Sequence, residues 1–154
     1  HRPESCGYVR ARSQDPFKHP EIQPNYLAAD TDQQVILAAI KICRKLAQTE
    51  ALKPFVVEET FPSVACQNDN DLLNSAREIG QSIYHLMGTC RMGSRDDKTA
   101  VVDAELRVHG IKNLRVIDAS IMPTMVSANL NAAVMMIAEK GADMVLGKLS
   151  AKSH

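Results

Sequence analysis

Leu114-Arg115-Val116-Ile117-Asp118 is followed, past Pro123, by Asn129-Leu130-Asn131-Ala132-Ala133-Val134-Met135-Met136-Ile137-Ala138, and these two runs decide the fold class. The first reads as the best strand of the chain, apolar and β-branched, and it closes on an acid. Pro123 interrupts the segment behind it. The second run opens a helix expected to continue to Gly147, where glycine is a natural C-cap. Residues 132–138 are apolar all round, and a helix start with no polar face is expected to be buried on every side, by protein or ligand. An acid at a strand's carboxyl end suits a ribose or ribityl hydroxyl, because ligands of open α/β sheets sit there. Any strand-to-loop junction can also end in Asp. Asn129 and Asn131 likewise have two readings. One is plain N-capping. The other is a positive helix end aimed at an electron-rich group.

Upstream of this unit, Tyr84-His85-Leu86-Met87-Gly88-Thr89-Cys90-Arg91-Met92-Gly93 sets two glycines close to a histidine. That spacing suits tight backbone passage beside something bulky. A single histidine is by itself more often a satisfied structural residue than a proton carrier. His85 and Cys90 also read as a base and a thiol nucleophile, with no third group to orient them. Val101-Val102-Asp103 and Leu106-Arg107-Val108 are short extended candidates on either side of a turn.

The first half has simpler signals. Gly7-Tyr8-Val9-Arg10-Ala11-Arg12-Ser13 alternates as a strand does, with Arg10 and Arg12 on a solvated face. Asp15-Pro16 and His19-Pro20 break the chain, and an extended piece around Ile22 to Leu27 is expected to return beside the first. Thr31-Asp32-Gln33-Gln34 has capping-box spacing, and Val35, Ala39, Ile42 and Leu46 follow as the inward stripe of a helix. Lys41, Arg44 and Lys45 complement its macrodipole. A second helix starts near residues 68–71, turns Leu72, Leu73, Ala76 and Ile79 inward, and ends at Gly80.

Composition narrows the function. A chain of 154 residues is the size of one ordinary domain. Hydrophobic residues at 45% and charged residues at 23% describe a soluble globular protein. Eighteen basic residues balance eighteen acidic ones, which leaves no net field for phosphate backbones or anionic lipid. Nucleic acid is therefore not an expected partner. No apolar run is long enough to span a bilayer. The four cysteines, at 6, 43, 66 and 90, include no Cys-x-x-Cys pair, so a zinc site is not expected and reduced thiols are. The opening His1-Arg2-Pro3-Glu4 is no signal peptide and lacks an initiator Met, which reads as a piece of a longer chain.

Taken together, residues 85–93, Ala100-Val101-Val102-Asp103, Leu106-Arg107-Val108-His109-Gly110, residues 114–123 and residues 129–143 follow the order of the glucose–methanol–choline flavoprotein oxidoreductases. The sequence resembles the C-terminal part of such an enzyme, nearest the choline dehydrogenase-like and alcohol dehydrogenase-like branch. Arg2-Pro3-Glu4-Ser5, Val9-Arg10, Ser13, Asp15-Pro16, Pro20, Ile22 and Asn25-Tyr26-Leu27 resemble the family's substrate-domain stretch. The resemblance covers nearly the whole chain.

It implies an α+β fragment of a two-domain FAD enzyme. Residues 1–81 would belong to the substrate domain, 82–110 to the active-site segment and crossover, and 111–154 to the FAD-binding domain. The family's active-site histidine falls on His85 and its His-or-Asn partner on Asn129. The FAD-contacting acid falls on Asp118 with Ala119 beside it, and Leu130 and Asn131 would lie near the pyrimidine side of the flavin. The family's chemistry moves a hydride from an alcohol carbon to flavin N5 while the hydroxyl proton is handled nearby. No Gly-x-Gly-x-x-Gly is present, so the pyrophosphate-gripping fingerprint must come from the missing N-terminal half. The implied partners are a small alcohol and that other half, with self-association of the piece expected. The implied location is cytoplasmic, with peripheral membrane association of the longer protein allowed. Two competing readings are a non-catalytic module that keeps the scaffold and a Cys90–His85 hydrolase.

Overall fold

The computed structural model describes residues 2–148. They divide into two compact units, one of residues 3–82 and the other of Arg2 with the chain from Ile83 onward.

In the first unit, β1 (Tyr8–Arg10) pairs antiparallel with β2 (Glu21–Gln23), with Val9 opposite Ile22. The expected return strand therefore forms, but it stops at Gln23 because Pro24 has no amide to donate. Tyr8 donates its hydroxyl to Glu21 at 2.8 Å, and the Arg10 guanidinium lies 4.3 Å over the Tyr8 ring. That bond and the nearby carboxylate raise the Tyr8 phenol above its ordinary range. Gly7 is needed here, since a Cβ would stand 2.0 Å from the Gln23 carbonyl oxygen.

The two helices of this unit are α1 (Asp30–Ala47) and α2 (Asp69–Ile79). The expected capping box at α1 is not made. The helix begins one residue before Thr31, on Ala29, without a side-chain cap. Asp32 instead accepts the backbone amides of Glu4 at 3.0 Å and Ser5 at 2.8 Å, while Ser5 Oγ accepts the Ala29 amide. Thr31, the expected capping residue, thus lies inside the helix, and a distant segment engages Asp32 beside it. Burial works to raise the Asp32 carboxyl, but the Ser5 hydroxyl and the two amides together bring it below the usual range. The inward stripe is also different. Ile36, Leu37, Ile40, Arg44 and Ala47 are the more covered side chains, while Val35, Ala39, Ile42 and Leu46 are exposed. Helix α1 is apolar on two faces, and its partner α2 covers only one.

Arg44 explains part of that choice. Its Nε and Nη2 reach Glu59 Oε1 at 2.9 and 2.8 Å, and Nη1 donates to the Cys66 carbonyl at 3.0 Å. The guanidinium thereby holds the irregular stretch before α2 against α1, a stronger role than complementing a dipole. Helix α2 follows expectation at both ends. Asn68 accepts the Asp71 amide at 2.9 Å, and Gly80 is the C-cap. Leu72 is its buried anchor, and Ile79 remains exposed.

The second unit has one helix, α3 (Asn131–Val145), packed on a set of short, irregular chain passes. Residues 114–118 do not form the expected strand. They make a single bridge, Arg107 to Arg115, and the passes around them are joined one residue at a time through Met92–Val102 and Val102–Val108. Turns punctuate this region too densely for a ladder. Asp103 accepts the amides of Glu105 and Arg107 at 2.9 Å, and Asn113 and Gly110 both sit at positive φ. The core is Val102, Leu106, Ile121, Met122, Leu130 and Ile137.

Helix α3 ends as expected, with Gly147 just past it at φ 68. Its start is not buried on every side. Ile137 and Gly141 face the core, whereas Met135 is 62% and Met136 57% exposed. Among the described residues, only one side of the apolar turns has anything to pack on.

Candidate active site

His85 stands at the head of a segment that is fixed by its backbone. The amides of Gly88, Cys90 and Met92 donate in turn to the carbonyls of Ala119, Ser120 and Ile121, at 3.4, 2.9 and 2.7 Å. These three bonds lay the histidine segment along the turn that Asp118 begins. Gly88 makes that approach with φ +84, a conformation L side chains rarely adopt. Tyr84, directly before His85, also sits in the left-handed region at φ 63. For a bulky residue that position costs about 1–2 kcal/mol, and such strain gathers at functional sites. His85 itself is half-buried, and its imidazole makes no hydrogen bond among the described residues.

Asp118 is exposed and caps the short 3-10 turn Ala119–Ile121. Its Oδ1 accepts the Ser120 amide at 2.7 Å, which fixes the carboxylate and leaves Oδ2 without a partner among the described residues. Ala119 follows, half-buried against the core cluster. The carboxylate therefore faces outward from a rigid turn.

The start of α3 is the third part. No side chain caps it, so neither Asn129 nor Asn131 performs the plain capping role. Its first amides are left as donors, with the positive helix end behind them. Leu130 is buried in the core, so it can offer a ligand only its backbone. Asn129 and Asn131 are exposed.

All six predicted site residues thus lie in one unit. The structure joins the His85 segment to the Asp118–Ala119 turn, and it packs α3 against that same turn. It does not join His85 to Asn129 through any hydrogen bond among the described residues. An FAD molecule meets suitable groups here, namely a fixed, outward carboxylate and an uncapped helix start. A glycine-rich pyrophosphate cradle is not among them.

Two features escaped the sequence. Arg2 Nε donates to Ser127 Oγ at 2.7 Å, a contact across 125 positions that no local pattern announces. The second is an open groove of about 1090 Å³ beside the turns at residues 103–115, which contains none of the six predicted residues. Arg95, Arg107, Lys112 and Arg115 edge it. Those cations follow no helical or strand period in the sequence, which hid their convergence.

The family model for GMC oxidoreductase matches residues 3–138. The chain belongs to the GMC oxidoreductase family. Among GMC relatives, it is 47% identical over 147 residues to the mitochondrial choline dehydrogenase of Homo sapiens, covering 96% of this chain and 25% of that protein. It is 46% identical over 147 residues to an oxygen-dependent choline dehydrogenase of Escherichia coli, covering 96% of this chain and 26% of that protein. The chain therefore spans about a quarter of the length of these curated relatives. Among solved structures, formate oxidase of Aspergillus oryzae, in a study of its FAD modification, superimposes with a TM-score of 0.82 at 33% identity, covering 93% of this chain and 25% of that one. Pyridoxine 4-oxidase of Mesorbium loti gives 0.79 at 32% identity, over 97% of this chain and 29% of that one. The small mixed helix–strand architecture is that of the corresponding part of a GMC oxidoreductase.

Proposed function

We propose that this chain is the C-terminal part of an FAD-dependent alcohol oxidoreductase that acts on a primary alcohol, choline-like or other. The observation that carries the reading is the backbone ladder from residues 88–92 to residues 119–121, which sets the His85 segment beside the Asp118 turn. Family membership supplies the chemical class. In this reading residues 1–81 serve the substrate domain of a two-domain enzyme, 82–110 the active-site segment and 111–154 the FAD domain. The division of the chain after Ser82 supports the first of these boundaries.

Bound FAD supplies the acceptor for the hydride that leaves the alcohol carbon. His85 takes the hydroxyl proton on a ring nitrogen, a role for which imidazole is suited near neutral pH. Its half-buried position limits competing solvent, and the strained residue before it fixes the ring's approach. Asn129 donates its side-chain amide to the same substrate oxygen and orients it. Asp118, with Ala119 beside it, would hold a ribityl hydroxyl through the carboxylate oxygen that its own turn does not use. The backbone of Leu130 and Asn131, with the helix dipole behind it, would favour negative charge at the electron-rich side of the ring. The N-terminal half of the longer protein provides the pyrophosphate site. The whole works in the cytoplasm or on a membrane face.

The test is His85→Ala in the longer protein. Turnover of alcohol should fall about 10²–10⁴-fold, while flavin content measured by absorbance stays near normal, because proton handling acts on the transition state. Near-normal oxidation by the variant would remove His85 from the mechanism. Absence of flavin from the unmodified protein would reject the whole reading.

A further inference from the structure

We propose that Arg2 is a positioning residue for Asn129 and acts on it through Ser127. This rests on the reading of Asn129 given above. Ser127 stands two residues before Asn129 in the irregular loop between Pro123 and Leu130. That loop is pinned by buried Met122 and Leu130 and by Met125, which packs half-buried against the core, while Ser127, Ala128 and Asn129 are exposed. Among the described residues, the 2.7 Å bond from Arg2 Nε to Ser127 Oγ is the one hydrogen bond made by residues 123–129. No turn, cap or strand pairing restrains the loop in its place.

The physical consequence is specific. A side-chain amide that orients a substrate oxygen must be held to within a fraction of an ångström. The exposed stretch of residues 126–129, between the Met125 and Leu130 anchors, samples far more than that unless something else holds it. The guanidinium is well suited to remove this freedom, because its Nε–H is directional, charge-assisted and fixed in a plane. Arg2 also groups with the second unit, although the residues that follow it belong to the first. The bond to Ser127 is a polar contact it makes within that unit. Arg2 does not touch the reacting atoms in this account. It sets where Asn129 can be.

The experiment uses the longer protein with Arg2→Ala, Arg2→Lys, Ser127→Ala and the Arg2→Ala/Ser127→Ala double variant. Steady-state alcohol oxidation, flavin absorbance and the order of the loop in crystal structures, read from its main-chain displacement parameters, are measured for each. The expected result for Arg2→Ala is a kcat lower by on the order of ten-fold, with a smaller change in KM and unchanged flavin content. Residues 126–129 should lose order in the same variant. Ser127→Ala should match it, the double variant should be no worse than either single one, and Arg2→Lys should fall between. A disordered loop with normal kcat would overturn the proposal by reducing the bond to a structural tether. An unchanged loop, or fully additive effects, would overturn it as well. A flavin-free, inactive unmodified protein would instead reject the reading of the site, and the loop order would still judge the tether.

Discussion

Asp118 and Asp97 show how differently two carboxylates in one unit are used. Asp118 offers Oδ1 to its own turn and has no partner for Oδ2 among the described residues, so Asp118→Ala in the longer protein should lose flavin before it loses turnover per bound flavin. Absorbance of the purified variant, compared with kcat normalised to flavin, reads both quantities. Asp97 is occupied within its own turn. The Thr99 hydroxyl and amide, and then the Arg91 guanidinium at 3.2 Å, hold its carboxyl below the ordinary range. A depressed folded value means that its contribution is present above the unfolded carboxylate's range and is lost as pH falls through the folded value. The turn at residues 94–100 should therefore loosen as pH falls below about 4. Amide exchange at Thr99, followed against pH, should show this in the natural chain. In Asp97→Asn that pH dependence should be gone, and an unaltered profile would refute the assignment.

At the scale of elements, the clearest constraint is the contact between Gly7 and the return strand. A methyl group at Gly7 would meet backbone atoms, the carbonyl oxygens of Gln23 at 2.0 Å and Pro24 at 2.7 Å. Backbone cannot rotate away as a side-chain tip can. Gly7→Ala should therefore open the β1–β2 pair, and the Tyr8–Glu21 hydrogen bond should break with it. The Tyr8 phenol, raised in the folded chain by that bond, should then titrate at lower pH, which ultraviolet absorbance would detect. An unchanged titration would show that the strands accommodate the methyl. A milder loss is expected for Asn68→Ala, which removes the cap of α2 and should cost about 0.5–2 kcal/mol in thermal or denaturant unfolding. The α2 boundaries were legible because each is set locally, Asn68 on the Asp71 amide at one end and the Gly80 amide on the Ala76 carbonyl at the other. Those of α1 were not, because Asp32 answers to Glu4 and Ser5.

At the scale of the whole molecule, apolar surface is the dominant fact. Val35, Ile42 and Leu46 on α1, Met135, Met136 and Val145 on α3, and Leu146 just past it are all more than half exposed. Large apolar side chains left exposed in such numbers favour association with a covering surface. The 154-residue chain on its own should accordingly be flavin-free, inactive and self-associating. Light scattering and absorbance in the flavin bands decide this, and a yellow, strictly monomeric preparation would contradict it. Membership of the GMC family and a span of about a quarter of its relatives' length are consistent with cover supplied by the remainder of such an enzyme.

The sequence alone determined the family, the helices α2 and α3 and the β1–β2 return, and it nominated six site candidates. Each rests on residues close together in the chain or on an ordered set of short motifs, and both survive without knowledge of the partner surfaces. Tertiary structure decided the rest. It turned the expected strand at residues 114–118 into a single bridge, because its neighbours supply only isolated pairings. It chose which face of α1 is covered, since periodicity cannot rank two apolar faces of one helix. It also brought Arg2 to Ser127, a pairing invisible in sequence because the energy of one hydrogen bond leaves no periodic trace over 125 residues.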